Sequence, residues 1–95
     1  MGFDLYGLKK GFFSANIHSF RNLWIDVGNL CSFTNEQYER GCFNDYNEFS
    51  EIEAFHISEC LESYINKSCL TTKNPNDHLL MFYFFVKDSG GFVIG

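Results

Sequence analysis

Ninety-five residues carry 12 Asp or Glu, 7 Lys or Arg and 3 His, for a formal charge of −5, and 19% of them are aromatic. That length holds one domain over residues 1–95 and no second core. The acidic balance argues against direct nucleic-acid binding. No stretch reaches the roughly 18 apolar residues of a membrane span, and Met1 to Lys10 lacks the basic start and apolar block of a secretory signal. A cytoplasmic protein without membrane contact is expected, in which Cys31, Cys42, Cys60 and Cys69 are reduced thiols rather than a disulfide frame.

From the start, Phe3-Asp4-Leu5-Tyr6-Gly7-Leu8 alternates apolar and polar before Gly7 and Gly11, as a short strand or extended arm does. From Ser14 to Cys31, Ile17, Phe20, Trp24, Val27 and Cys31 step by three and four, a helical stripe with Ser14 or Asn16 as N-cap. Thr34-Asn35-Glu36-Gln37 is a capping box with Phe33 and Tyr38 in the staple positions, and Gly41 is expected to end that two-turn helix in the left-handed region. Ser50-Glu51-Ile52-Glu53 repeats the device with Phe49 and Ala54 as the staple. It opens a helix to about residue 66 whose core stripe is Ala54, Ile57, Leu61, Tyr64 and Ile65.

Ser68 to Asp77 reads as a polar loop with the lone Pro75. The apolar run Leu79–Val86 suits either period, but Asp77 as N-cap and Ser89-Gly90-Gly91 as a stop favour a helix of about eleven residues. Phe92-Val93-Ile94 then closes as a strand against Phe3–Tyr6. The expected fold is mainly α, three or four helices with at most a small terminal β pair, with α+β as the alternative. The 12 Phe, 5 Tyr and 1 Trp exceed what one small core hides, so some rings should lie on the surface or in a homodimer interface at Leu79–Phe85 or around Trp24.

Charge is concentrated in the middle. Glu36, Glu39, Asp45, Glu48, Glu51, Glu53, Glu59 and Glu62 face only Arg40, eight carboxylates against one guanidinium and a local charge of −7. On the Ser50 helix, Glu51, Phe55, Glu59 and Glu62 share the face turned from the core stripe, an aromatic anchor ringed by acids that suits an Arg-rich partner surface. Phe55 packed under a neighbouring segment is the bland alternative. Glu48 and Asp45 extend the candidate partner-binding set toward the N-terminal side.

Other constellations are thinner. His56 and Cys60, four apart on a helix, make half of a zinc site that Cys31, Cys42, Cys69 or His78 would have to complete. No nucleophile elbow is present, and Glu51 and Glu53 lie on different helix faces, so no enzyme and no cofactor is expected. Ser89-Gly90-Gly91 could offer amides to an anion but lacks the lysine and spacing of a P-loop. Arg21, three residues before Trp24, could make an intrahelical cation–π contact.

At both ends the chain resembles a group of short proteins of bacteria and their phages, through Asp4-Leu5-Tyr6-Gly7, Phe20-Arg21-Asn22-Leu23-Trp24 and Ser89-Gly90-Gly91-Phe92-Val93-Ile94. These motifs cover about a sixth of the residues. Members of that group often close the last motif with Cys, where this chain has Gly95. The group carries no established activity, so the resemblance implies a context, a small accessory protein of a mobile element, and assigns no site residue.

The functional expectation is a non-enzymatic, phage-type inhibitor of a host defence protein, anti-CRISPR-like, whose acidic face competes with nucleic acid for a basic surface. One alternative is a sponge for a small anionic nucleotide signal, which needs Lys9, Lys10, Arg21 and Gly90–Gly91 to converge. The other is a small regulator stabilised by zinc.

Overall fold

The alternation at the start of the chain becomes strand β1 (Gly2–Gly7), with Phe3 and Leu5 buried and Tyr6 turned outward. The computed structural model describes residues 2–43, 46–68 and 78–95. After β1 come β2 (Phe12–Asn16), α1 (Ile17–Cys31), α2 (Asn35–Cys42), β3 (Asn47–Phe49), α3 (Glu51–Ser68), α4 (His78–Ser89) and β4 (Phe92–Ile94). The strands form one antiparallel sheet in the order β2-β1-β4-β3. The terminal pair is present, with Leu5 opposite Ile94, Tyr6 opposite Val93 and Gly7 opposite Phe92. Among the described residues there are thus four helices and four strands, an α+β fold in which the sheet is twice the size of the expected pair.

The two extra strands have separate reasons for being hidden in the sequence. Phe12-Phe13-Ser14-Ala15-Asn16 is too short to show a period, and Ser14 lies inside β2 while Asn16 caps α1, accepting from the Ser19 amide at 2.8 Å. β3 is three residues long, and only its pairing with β4, Phe49 opposite Phe92, makes it a strand. The inner sheet face carries Phe3, Leu5, Phe13, Phe49, Phe92 and Ile94 against the helices, and the outer face leaves Tyr6, Phe12 and Glu48 exposed. That is a two-layer arrangement with one wet face.

Both capping boxes form. Gln37 N–H donates to Thr34 Oγ1 at 3.2 Å while Thr34 N–H donates to Gln37 Oε1 at 3.1 Å. Glu53 N–H donates to Ser50 Oγ at 3.2 Å, and Ser50 N–H to Glu53 Oε1 at 3.0 Å. The apolar run resolves as helix α4, because its Leu80, Phe82, Tyr83, Phe85 and Val86 pack into the core from a helical surface. Its proposed cap, Asp77, lies outside the described residues, as do Pro75 and Cys69. On α3, Ala54, Ile57 and Leu61 are buried as expected; Tyr64 is exposed instead, and Ser58 takes a buried place by donating to the Phe55 carbonyl at 2.8 Å.

Trp24 is the centre of the core, only 2% exposed. Its ring lies 5.6 Å from Phe20, 5.1 Å from Phe33 and 5.5 Å from Phe49, and its indole N–H donates to the Tyr38 carbonyl at 2.8 Å. The Trp24 ring itself thus has no surface to offer a second copy, while Ile25 and Phe43 beside it are exposed. Gly41 also departs from expectation. It is not a left-handed stop: α2 runs on to Cys42, and Gly41 is buried under the Trp24 indole. A Cβ there would sit 1.9 Å from Trp24 Cε2, so the glycine is required by close approach rather than by a turn.

Two alanine substitutions separate packing from helix propensity. Gly41→Ala should lower stability by about 3 kcal/mol, because overpacking against a buried indole outweighs the propensity gain. At Gly28 the added methyl would meet the Tyr38 ring edge at 3.2 Å, and Gly28→Ala should stay within about 0.5 kcal/mol of the parent or exceed it. Denaturant unfolding of the two variants side by side checks both values.

Candidate functional site

The acidic segment is organised first by its one arginine. Arg40, on the last turn of α2, reaches the start of α3 and forms an ion pair with Glu53 through Nη2, while Nη1 donates to Glu53 Oε1 at 3.1 Å and to the Glu48 carbonyl at 2.9 Å. Its Nε lies 2.8 Å from Glu36 Oε1, an ion pair without the alignment of a hydrogen bond. The guanidinium plane sits 4.4 Å over the Phe49 ring. Gln37 Nε2 donates to the same Glu53 carboxylate at 3.3 Å. The Arg40 guanidinium holds the Glu53 carboxyl down at about 2, against an ordinary 4.5, with the Ser50 amide and Gln37 contributing. Glu53 is thereby taken out of any outward-facing acidic patch, while Glu36 pairs with the same cation from an exposed position.

What remains on α3 is a face with two apolar anchors. Ile52 is 81% exposed and Phe55 62% exposed. At about 100° per residue, Glu51, Glu62, Phe55, Glu59 and Ile52 follow one another around a single exposed side of the helix. The four residues predicted to share a face, Glu51, Phe55, Glu59 and Glu62, are all exposed there, and Phe55 is not covered by a neighbouring segment. Glu51 pairs with Lys9, whose ammonium holds its carboxyl below the usual range. No ion pair of Glu59 or Glu62 is found among the described residues.

Beside this face lies an open groove of about 500 Å³, floored by Ala54, Ser58 and Val86 and rimmed by Lys9, Glu51, Ile52, Phe55, Lys87, Asp88 and Gly90. The tight turn after β1 forms its wall. Leu8 N–H donates to the Gly91 carbonyl and Lys9 N–H to the Ser89 carbonyl, each at 2.8 Å. Two lysines and two carboxylates share the rim, so the groove is balanced in charge and carries its apolar surface at Ile52 and Phe55. Ile52 and the rim pair Lys87 and Asp88 escaped the sequence reading. Ile52 was legible on the same helical wheel as an apolar residue off the core stripe, whereas Lys87 and Asp88 reach the groove only because α4 packs along α3.

The other predicted members are placed elsewhere. Glu48 is exposed on the outer sheet face, on the far layer from the α3 face. Asp45 lies outside the described residues. The groups required by a nucleotide sponge do not all converge: Lys9 and Gly90 line the α3 groove, but Lys10 lines a separate groove with Phe12, Met81 and Phe84, and Arg21 a third with Tyr38 and Phe43. The Gly91 amide is already donated to Ser89 Oγ at 3.3 Å, so the glycine turn serves as a helix stop, with Gly90 and Gly91 at φ 68° and 103°. Instead of Arg21 over Trp24, the cation–π contacts among the described residues are Arg40 over Phe49 and Lys87 over Tyr83. His56 Nε2 and Cys60 Sγ are 3.7 Å apart, but no group of three or more His, Cys, Asp or Glu among the described residues is placed to hold a metal ion. Nor is any described helix long and apolar enough to cross a membrane.

The chain matches no protein-family profile, no curated protein and no solved structure.

The Arg40–Glu53 pair carries a pH signature. The folded-state Glu53 carboxyl titrates near 2 and the unfolded one near 4.5, so its contribution is complete above the unfolded value and disappears as pH falls from about 4.5 toward 2. Its size is on the order of 2 kcal/mol after allowance for partial exposure. Glu53→Gln, which retains a capping side chain, should cost that amount at pH 7 and flatten the acid limb of the stability curve. Urea unfolding at pH 7, 5, 4 and 3 measures it.

Proposed function

We propose that this chain is a non-enzymatic binding protein of the inhibitor type, docking through the exposed face of α3 on a basic surface of another protein. The observation that carries the reading is the pair Ile52 and Phe55, 81% and 62% exposed in adjacent positions on a helix flanked by Glu51, Glu59 and Glu62. Large apolar side chains at a surface contribute binding energy when a partner covers them. Carboxylates around them steer a cationic partner and reject an anionic one. A nucleic-acid-handling protein offers such a basic surface, and the Glu side chains would occupy positions otherwise filled by phosphates.

The acidic face behind this proposal is smaller than the whole 36–62 segment. Arg40 holds Glu53 inward and also pairs with the exposed Glu36, one positive charge between two carboxylates; Lys9 engages Glu51, and Glu48 lies on the outer sheet face. The contact therefore rests on the apolar pair, with Glu59 and Glu62, unpaired among the described residues, supplying charge and Glu51 available once Lys9 is displaced by a partner arginine. The phage-like end motifs support a target in the host defence machinery and a site of action in the host cytoplasm. Met81 and Phe84, both half-exposed on α4, are the surface on which two copies would pair.

Binding to immobilised Arg-rich, Lys-rich and acidic peptides tests the surface, followed by capture from host cells with the same variants. Phe55→Ala should weaken Arg-rich binding about thirtyfold, equivalent to roughly 2 kcal/mol. The double reversal Glu59→Lys with Glu62→Lys should reduce it about tenfold at low salt and hardly at all at high salt. Equal binding of all three peptides, or variants that bind as the parent does, would remove the docking proposal.

A further inference from the structure

Three groups outside the docking face stand in a row from solvent to core. His56 is exposed on α3, and its Nε2 lies 3.7 Å from Cys60 Sγ. Cys60 is half-buried and packs against the core cluster. Behind it Cys31, the last residue of α1, is buried, and its thiol donates to the Ile57 carbonyl on α3 at 3.9 Å. Cys60 follows Ile57 by three residues on α3, which places it on the neighbouring turn of the helix side that Cys31 meets, near enough to add to the upward push that burial gives the Cys31 thiol. A reachable thiol with an imidazole on its outer side and a second thiol on its inner side differs from the inert buried cysteine of a small core.

We infer that Cys60 is an oxidation site for small hydroperoxides, with His56 as the proton acceptor and Cys31 as the resolving thiol that closes a disulfide between α1 and α3. In the first step His56 takes the Cys60 proton and the sulfur attacks the peroxide. The O–O bond breaks, an S–O bond forms, and the leaving alkoxide takes up the proton to depart as an alcohol. In the second step the Cys31 sulfur attacks Cys60, the S–O bond breaks, and hydroxide leaves with the Cys31 proton as water. Two thiols lose two electrons and two protons in total, and one hydroperoxide becomes alcohol and water.

The order of attack follows from the surroundings. Cys60 is the thiol solvent can reach, whereas burial pushes the Cys31 thiol up and the neighbouring Cys60 adds to this. Cys31 therefore stays protonated while Cys60 reacts, and the resolving step is the slower one. The cross-link would enclose α2, the Arg40 cluster and the first turns of α3, holding the N-terminal half of the docking helix to α1. This inference is independent of what docks on that helix.

The test uses the full chain with all four cysteines, reduced and then treated with hydrogen peroxide or tert-butyl hydroperoxide, followed by intact mass and peptide mapping. The expected product has lost two hydrogens, contains a Cys31–Cys60 linked peptide, reverts with dithiothreitol, and melts about 10 °C higher than the reduced protein. Cys31→Ala, which keeps the buried position apolar, should instead accumulate Cys60 carrying one oxygen, trapped by dimedone. His56→Gln should slow alkylation of Cys60 by iodoacetamide about tenfold with the melting temperature unchanged. A linked peptide joining Cys60 to Cys42 or Cys69, a Cys60 that oxidises beyond one oxygen while Cys31 remains a free thiol, or alkylation at a rate indifferent to His56 would overturn the assignment.

Discussion

One guanidinium organises the middle of this molecule. Arg40 leaves the end of α2, lies over the Phe49 ring and grips Glu53 at the first turn of α3, with Glu36 and the Glu48 carbonyl as further partners. A fork of donors that is also a flat cation can satisfy a carboxylate and cover an aromatic ring at once, which a lysine cannot do. Because Glu53 is also the capping residue of α3, the arginine joins a helix start, a strand and a neighbouring helix through one side chain. It ties the first turn of α3 to α2 and to β3.

The same contact determines the electrostatics. Counted along the chain, the middle segment carries eight carboxylates against one guanidinium. Folding ties Glu53 and Glu36 to Arg40, puts Glu48 on the outer sheet face, and leaves a helical face where Glu59 and Glu62 stay unpaired among the described residues. The carboxylates left unpaired on α3 cover a narrower area than the composition implies. The apolar pair Ile52 and Phe55 gives that area its character. Both large side chains are left in water at neighbouring helix positions.

That core is an aromatic lattice assembled around Trp24, with Phe20, Phe33, Phe49 and Phe82 in ring contact with it and Phe92 stacked on Phe49 at 4.9 Å. Large flat side chains allow a short chain to bury enough area, but they demand exact room, and Gly41 supplies it by letting α2 lie directly on the indole. The surplus of rings is divided among separate surfaces: Tyr6 and Phe12 on the sheet, Met81 beside Phe84 on α4, and Phe55 on α3.

Local signals of the chain were sufficient for most of what depends on near neighbours in sequence, Tyr64 on α3 being an exception. The two capping boxes, the α1 stripe through Phe20, Trp24, Val27 and Cys31, the closing strand and the shared exposed face of Glu51, Phe55, Glu59 and Glu62 all follow from spacing, because caps and helical faces are set within four residues. What depends on distant residues could not be read that way. β2 and β3 are too short to carry a period and exist through pairing with β1 and β4. Gly41 mimics a helix stop until Trp24 is placed over it, and the partners of Arg40 and Lys9 are chosen by which elements meet. The groove beside Phe55 and the approach of Cys31 to Cys60 are likewise products of helix packing, since each joins residues that only the folded backbone brings within reach.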